Sequence, residues 1–189
     1  ASGVRLYVTT EERARFLAAA ETTADRATRT LCMTLAYSGC RISEALQLTA
    51  ARVDLSASIL VIGTLKQRRA GVWRAVPVPA LLLRARELVH GVRESQARAD
   101  RGRGVLLWPI SRATASRRIA MVMRTAQIAG PQASAKGLRH GFGVNAVTRG
   151  VALNMVQKWM GHAQLTTTAI YANASGAEEQ DIAARMWVD

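Results

Sequence analysis

The stretch WMGHAQLTTTAIYANA, residues 159–174, contains a Gly-His pair, a run of three threonines and a single tyrosine. The chain has only three tyrosines, and Tyr171 follows His162 by nine positions. The threonine-rich segment between them lacks the apolar periodicity of a core helix. A tyrosine in this setting is either a packed aromatic ring or a reactive hydroxyl. Because the local sequence leaves both open, the rest of the chain has to decide between them.

The 189-residue chain is strongly basic, with 26 Lys and Arg residues against 13 Asp and Glu residues and a net charge of +13. A charge of this size favours a polyanionic partner over mere solubility, and nucleic acid is the partner that we expect from it. Arginine outnumbers lysine by 23 to three, and the lysines are Lys66, Lys136 and Lys158. Lysine can give up a proton where arginine cannot, so each lysine is a candidate for proton chemistry.

The cysteines and histidines predict no metal site. Cys32 and Cys40 lie among apolar or small residues, which is typical of structural thiols in a reducing cytoplasm. His90, His140 and His162 are scattered, and no Cys/His group has zinc spacing. No apolar run approaches the roughly 18 residues of a membrane span, and there is no signal peptide. We therefore expect a cytoplasmic protein without metal, cofactor or membrane contact.

Capping residues predict the first helices. Thr9 and Glu12 form a capping-box pattern before RARFLAAA, which indicates a helix over about residues 10–21. Asp25 can cap a second helix that stops at Gly39. A short third helix, ISEALQL, follows directly.

The middle of the chain changes to strands. The short, β-branched runs RVDL, SILVIG and VWRAVPV predict a small antiparallel sheet, with the basic loop TLKQRRAG between the second and third runs. ARADRGRG, residues 97–104, is a further loop, and VLLWP after it is a brief extended segment.

Helical periodicity returns in the second half. One helix is predicted over about residues 80–96 after Pro79, and a second is capped by Thr114 or Ser116 and runs to about Ile128. A third lies around Leu138, Phe142 and Ala146, and a fourth runs from Leu153 to Met160 and ends at Gly161. A closing helix, EEQDIAARMW, is predicted at about 177–187. The predicted fold class is α+β, mainly α-helical with a small antiparallel three-stranded sheet, in one domain over residues 1–189.

Five stretches carry residues suited to one chemistry. They are SGCRISEAL with Arg41, TLKQRR with Lys66, AKGLRHGF with Lys136 and Arg139, WMGHAQ with His162, and AIYANA with Tyr171. Each residue alone has an ordinary structural explanation, such as an ion pair, a solvated helix face or a packed ring. Together they suit cleavage of a phosphodiester without a metal. Arginine forks match phosphate oxygens, a tyrosine can attack phosphorus, and a lysine can protonate the leaving 5′-oxygen.

This ordered set resembles the catalytic domain of the tyrosine recombinase (phage integrase) family, from TTEERARFL to about Asp181. GCRISEAL is similar to the first arginine box of that family, and GLRHGFGVNAV to the second. WMGHAQLTTTAIYANA is similar to the box that runs from Gly-His to the tyrosine, and it is the most specific of the three.

The resemblance implies the tyrosine recombinase catalytic-domain fold and a role for each residue in DNA strand cleavage and rejoining. Arg41 and Arg139 would clamp the scissile phosphate, Glu44 would orient Arg41, Lys66 would act as general acid, His162 would donate to a phosphate oxygen, and Tyr171 would attack. The product would be a covalent 3′-phosphotyrosine link that preserves the energy of the broken bond.

The chain departs from the family pattern at one position. The second box of the family usually reads His-x-x-Arg, and Lys136 takes the place of that histidine. A lysine can bind a phosphate oxygen, and whether Lys136 also acts as a base stays open. His140, directly after Arg139, is expected to be structural. Two of the three lysines, Lys66 and Lys136, fall at positions implied to be catalytic.

The resemblance also implies an assembly. Family members usually carry an N-terminal helical domain that closes around DNA, and this sequence begins where the catalytic domain should begin. We expect a monomer free in solution and a tetramer on DNA for the full-length protein, from a phage or another mobile element. Two alternatives stay open: a type IB topoisomerase, and a DNA-binding module with impaired catalysis. The target site is not specified by the sequence.

Overall fold

Helices make up most of the fold. The computed structural model describes residues 5–64, 71–98, 104–164 and 166–169. Its helices are α1 (Thr10–Glu21), α2 (Arg26–Ser38), α3 (Ile42–Ala45), α4 (Ala80–His90), α5 (Val92–Ala97), α6 (Arg112–Thr125), α7 (Ala135–Thr148), α8 (Leu153–Met160) and α9 (Thr166–Ala169), with a 3₁₀ turn at Ala50–Arg52. Its strands are β1 (Val53–Asp54), β2 (Ile59–Gly63) and β3 (Trp73–Pro77).

The first two helices begin and end where the sequence predicts. The hydroxyl of Thr9 accepts from the backbone N–H of Glu12 at 3.2 Å, and the Glu12 carboxylate accepts from the Thr9 N–H at 2.9 Å. This is the predicted capping box of α1. Asp25 caps α2 through its carboxylate, and Gly39 ends that helix with a φ of +60°. Glycine adopts this left-handed conformation without the steric cost of a side chain.

The strands form one three-stranded antiparallel sheet, as predicted, and the structure gives their order as β1-β2-β3. Leu60 pairs with Val76 and Ile62 pairs with Arg74, and all four side chains are buried. Successive side chains of a strand point to opposite faces, so Arg74 shares the inner face of the sheet with the apolar Val76. The sheet therefore carries one arginine into the interior.

Helix α2 lies at the centre of the core and packs against α1, α4 and α7. The largest fully buried side chains include Leu35 of α2 itself and Phe16, Trp108 and Leu138 from other parts of the core. This packing fixes the C-terminal end of α2 and the start of α3 relative to α7. The predicted fold class is confirmed, and none of the helices in the described ranges is long and apolar enough to cross a membrane.

Three predicted helices differ from the structure in extent. The helix expected over residues 80–96 divides into α4 and α5, because Gly91 adopts a φ of +54° and redirects the chain so that Val92 becomes buried. Neither Thr114 nor Ser116 caps α6. Ser111 does, by accepting from the backbone N–H of Thr114 at 3.1 Å, and α6 ends at Thr125 instead of near Ile128. The third helix is also shorter than ISEALQL.

Some predicted segments cannot be compared with the structure. Most of the TLKQRRAG loop, most of ARADRGRG and the closing helix EEQDIAARMW lie outside the described residues. The prediction that VLLWP is extended is confirmed only at Leu106, which forms an antiparallel bridge with Thr49, because Leu107 and Trp108 lie in a bend.

Candidate active site

Arg41 is held in place by Glu44, three residues later at the start of α3. Its Nη1 donates to Oε1 of Glu44 at 2.7 Å, and its backbone N–H donates to Oε2 at 2.9 Å. The Glu44 side chain is fully buried, whereas 23% of the Arg41 side chain is exposed. Glu44 thus fixes both the backbone and the side chain of Arg41 while the guanidinium still reaches the surface.

The Glu44 carboxylate remains ionised in the interior because two arginines surround it. Burial alone would raise the pKa of this carboxyl group. The hydrogen bond and charge of Arg74, followed by the bonds from Arg41, outweigh burial and hold the pKa below its usual value. The pair formed by Glu44 and Arg74, at 2.6 Å, is almost fully buried. Removing Glu44 would leave the buried charge of Arg74 without this carboxylate, and removing Arg74 would leave the buried Glu44 carboxylate with Arg41 as its remaining ion-pair partner among the described residues.

Arg139 of α7 connects the three motif stretches. Its Nη1 donates to the carbonyl oxygen of Gly39 at 2.7 Å, and its Nη2 donates to the carbonyl oxygen of Met160 at 2.7 Å. Gly39 directly precedes the Cys40-Arg41 pair, and Met160 directly precedes Gly161-His162. The buried guanidinium therefore brings together segments that lie 100 and 21 residues away along the chain.

A cavity of about 540 Å³ opens beside this centre. Arg41, Lys136 and Arg139 line it together with Arg112 from the first turn of α6. The described residues that line it include no carboxylate. A cavity that is lined by arginines and a lysine and has no carboxylate among its described residues can bind a phosphate group, because guanidinium groups match phosphate oxygens in pairs.

His162 lies close to the same arginines. Burial lowers the pKa of His162, and Arg139, Arg41 and Arg74 lower it further, to about 4, against a smaller opposing effect of Glu44. The imidazole is therefore neutral near pH 7 and carries a single ring N–H. Its Nδ1 lies 2.9 Å from the hydroxyl oxygen of Thr168 in α9.

Comparison with known proteins identifies the chain. The model of the phage integrase family matches residues 7–178, which is most of the sequence. The chain belongs to the phage integrase family. Tyrosine recombinase XerD of Mycobacterium leprae is 36% identical over 157 residues, covering 76% of this chain and 46% of that protein. Tyrosine recombinase XerA of Thermococcus kodakarensis is 28% identical over 172 residues, covering 89% and 58%.

Solved structures show the same fold for this member of the phage integrase family. XerH recombinase in a post-cleavage complex with a palindromic difH substrate superimposes with a TM-score of 0.78, at 22% identity over 98% of this chain and 54% of that chain. The crystal structure of XerA recombinase gives a TM-score of 0.76 at 22% identity, over 100% and 68%. The chain spans about half the length of the first XerD relatives it matches.

The structure places four of the predicted site residues of this integrase-family chain together, and a fifth near them. Arg41, Lys136 and Arg139 line one cavity, and Glu44 holds Arg41. His162 lies near the cavity, because the charges of the cavity residues Arg139 and Arg41 lower its pKa. Lys66 and Tyr171 lie outside the described residues, so their roles stay predictions.

Other sequence-based expectations concern residues beside the site. His140 packs edge-on against Tyr7, with ring centroids 6.4 Å apart, which fits the structural role expected for it. Cys32 and Cys40 are free and buried, and burial raises the pKa of Cys32 to about 12. A thiol with so high a pKa is unreactive near neutral pH.

Sequence reasoning missed Arg74, which links three parts of the site. Its Nη2 bonds Glu44 at 2.6 Å, its Nη1 donates to the Thr64 hydroxyl at 3.0 Å, and its Nε donates to the carbonyl oxygen of Trp159 at 2.8 Å. It therefore fixes the β2–β3 hairpin, α3 and the end of α8 relative to one another. Thr64 lies two positions before Lys66 in the sequence. The alternation of VWRAVPV could have revealed this arginine, because it places Arg74 on the same face as Val76.

Gly161 is needed at this junction for two reasons. It ends α8 with a φ of +66°, and a Cβ at this position would lie 2.9 to 3.1 Å from the guanidinium atoms of Arg74. We expect Gly161→Ala to lower the free energy of unfolding by about 2–3 kcal/mol. Roughly 1 kcal/mol comes from the left-handed backbone, and the rest from displacing a pinned guanidinium. Urea denaturation of the purified variant measures the loss.

Gly91→Ala is the matched control for that measurement. Gly91 also ends a helix with positive φ, +54°, but a Cβ there would meet only the Glu94 carboxylate, at 3.7 Å. Its loss should be about 1 kcal/mol, from backbone conformation alone. Equal losses for the two variants would show that the approach of Arg74 adds nothing.

Proposed function

We propose that this chain is the strand-cleaving part of a site-specific DNA recombinase that works through a covalent 3′-phosphotyrosine intermediate. The observation that carries the proposal is the position of Arg139. This arginine joins the first arginine stretch to the Gly-His stretch and lines a cavity with Arg41 and Lys136. Support comes from the net charge of +13 and from the relatives, which are tyrosine recombinases.

In the proposed reaction the Tyr171 hydroxyl gives up its proton to water and its oxygen attacks phosphorus, while the bond from phosphorus to the 5′-oxygen breaks. Arg41 and Arg139 would stabilise the extra negative charge that develops on the phosphate oxygens in the transition state. Lys66 would donate a proton to the departing 5′-oxygen, and His162 would donate a hydrogen bond to a phosphate oxygen. In the reverse direction a 5′-hydroxyl attacks the phosphotyrosine and returns its proton to Lys66, while the bond from phosphorus to Tyr171 breaks and the tyrosine oxygen takes a proton from water.

Double-stranded DNA is the partner that we propose, because the reaction consumes a DNA phosphodiester and the chain carries a net charge of +13. We propose further that the full-length protein forms a tetramer on DNA and that the isolated chain is a monomer. The neighbouring XerH structures contain its difH substrate before and after cleavage. For Lys136 we propose phosphate binding, since this residue is exposed at the cavity beside the two arginines.

Covalent capture tests the proposal without knowledge of the target site. The chain is incubated with a pool of randomised duplexes that carry a nick, so that cleavage next to the nick releases a short fragment and traps the enzyme. Adducts that resist denaturing gel electrophoresis are isolated and their DNA is sequenced. We expect adducts enriched in one sequence family. Absence of adducts over the whole pool contradicts strand cleavage and leaves DNA binding alone.

The same assay tests whether cleavage needs a divalent metal. Among the described residues no group of three or more His, Cys, Asp or Glu side chains could hold a metal ion, and the proposed site is formed by cations. We therefore expect adduct formation to continue at an unchanged rate in excess EDTA. A strict requirement for added Mg²⁺ would place the chain in a different class of phosphoryl transfer.

A further inference from the structure

Thr168 forms a buried contact with the histidine of the site. It lies in α9, none of its surface is exposed, and its hydroxyl oxygen is 2.9 Å from Nδ1 of His162. Nδ1 is the only side-chain hydrogen-bond partner of Thr168 among the residues that the structure describes. The neighbouring Thr167 is exposed. One threonine of the run is therefore buried against the site, and the one before it is not.

The chemistry of the two groups fixes the direction of this hydrogen bond. A threonine hydroxyl has one hydrogen to donate, and a neutral imidazole has one N–H and one acceptor nitrogen. If Nδ1 of His162 carried the ring proton, the buried hydroxyl hydrogen of Thr168 would have no acceptor within the described residues. Leaving a buried donor unsatisfied costs about 1–3 kcal/mol. The hydroxyl therefore donates to Nδ1, and the ring proton lies on Nε2.

The surrounding positive charges keep the His162 ring neutral. A neutral ring has a proton on only one nitrogen, so the tautomer decides which nitrogen donates. Among the described residues, Arg139 from α7, Arg41 before α3 and Arg74 from β3 lower the pKa of His162, and the carboxylate of Glu44 opposes them. Burial and these three cations hold the pKa of His162 near 4, so protonation of both nitrogens is confined to acid solution. Near pH 7 only one nitrogen can donate.

We propose that Thr168 is a positioning residue that locks His162 in the Nε2–H tautomer, so that the ring acts as a hydrogen-bond donor to a phosphate oxygen and not as a base. The proposal rests on the proposed function for the identity of the acceptor, but the tautomer itself is a property of the free chain. This role also explains why a polar side chain, and not an apolar one, is buried at position 168. Since Thr168 stands three positions before Tyr171, the bond ties the histidine to the segment that carries the proposed nucleophile.

The tautomer can be measured directly in the DNA-free protein. Long-range ¹H–¹⁵N correlation spectra of ¹⁵N-histidine-labelled chain distinguish a protonated ring nitrogen from an acceptor nitrogen. His162→Phe identifies the signals among three histidines. At pH 7 we expect Nε2 protonated and Nδ1 an acceptor in the wild type and in Thr168→Ser. In Thr168→Val the ring should become a mixture of both tautomers, and Thr167→Val, a matched change at the exposed neighbour, should leave it unchanged.

The rate of adduct formation in the covalent capture assay tests whether Thr168 contributes to catalysis. Thr168→Val should slow it about 10-fold, as for the loss of one hydrogen bond in the transition state, and Thr168→Ser should restore most of the rate. Protonated Nδ1 in the wild-type spectrum overturns the proposal whether or not any variant folds. An unchanged tautomer in folded Thr168→Val also overturns it. If wild-type chain forms no adduct, the recombinase function fails instead, and the spectra still decide the role of Thr168.

Discussion

Tyr171→Phe is expected to abolish covalent attachment to DNA completely while leaving the affinity for DNA unchanged. Phenylalanine retains the ring but has no oxygen that can bond to phosphorus, so no slower route to the same intermediate remains. Covalent capture with the variant should therefore fall to the level of a sample without protein. Affinity is measured in parallel by fluorescence anisotropy on an intact duplex recovered from the capture experiment.

Tyr7→Phe and Tyr37→Phe are the matched controls. The ring of Tyr7 packs edge-on against His140, and the ring of Tyr37 lies under the guanidinium of Arg13 at 4.9 Å. Both tyrosines thus already have a packing role, and their hydroxyl groups are dispensable for the proposed reaction. Attachment by Tyr171→Phe, or peptide mapping of the wild-type adduct to either control position, would show that the nucleophile has been misassigned.

Lys66→Ala is expected to slow cleavage of a normal substrate by about 10²- to 10⁴-fold, the usual contribution of a general acid. The defect should largely disappear when the bridging 5′-oxygen is replaced by sulfur, because a thiolate leaves without protonation. Rates of adduct formation on the two substrates, measured under single-turnover conditions, give the ratio that isolates proton transfer from binding.

Lys158→Ala provides the comparison for Lys66. Lys158 is an exposed lysine near the end of α8, outside the motif stretches, so its removal takes away one charge without touching the proposed chemistry. It should cleave both substrates at close to the wild-type rate. Equal defects of Lys66→Ala on the oxygen and sulfur substrates would remove Lys66 from the role of acid. If Lys158→Ala slowed cleavage as much as Lys66→Ala, Lys66 would contribute only its positive charge.

Local chemistry made much of the fold predictable. The capping box of Thr9 and Glu12, the Asp25 cap and the stop at Gly39 are short-range signals, and the structure contains each of them. Gly91 was misread because a glycine inside a helical pattern either continues or breaks the helix, and the deciding factor is tertiary. The turn there buries Val92, which depends on contacts that the local pattern does not contain.

The site residues were predictable where the residue type and its immediate neighbours in the sequence are enough to recognise a motif. Arg41, Arg139 and His162 stand in recognisable stretches, and the structure brings these stretches together. Arg74 stands in an ordinary strand, and its importance arises only from three partners located 10, 30 and 85 residues away. The link between His162 and Thr168 was equally hidden, since three consecutive threonines look alike in sequence while burial separates Thr168 from its neighbour Thr167.

The way in which Arg139 is held has a consequence for how such a site can change over time. The guanidinium donates to two main-chain oxygens, those of Gly39 and Met160, and every amino acid supplies a main-chain oxygen. The side chains at the supporting positions can therefore drift without removing the bonds, provided that the path of the backbone is kept. These two bonds require a particular backbone path more than particular side chains, and the residue type is restricted at the two adjacent turns, where Gly39 and Gly161 have positive φ.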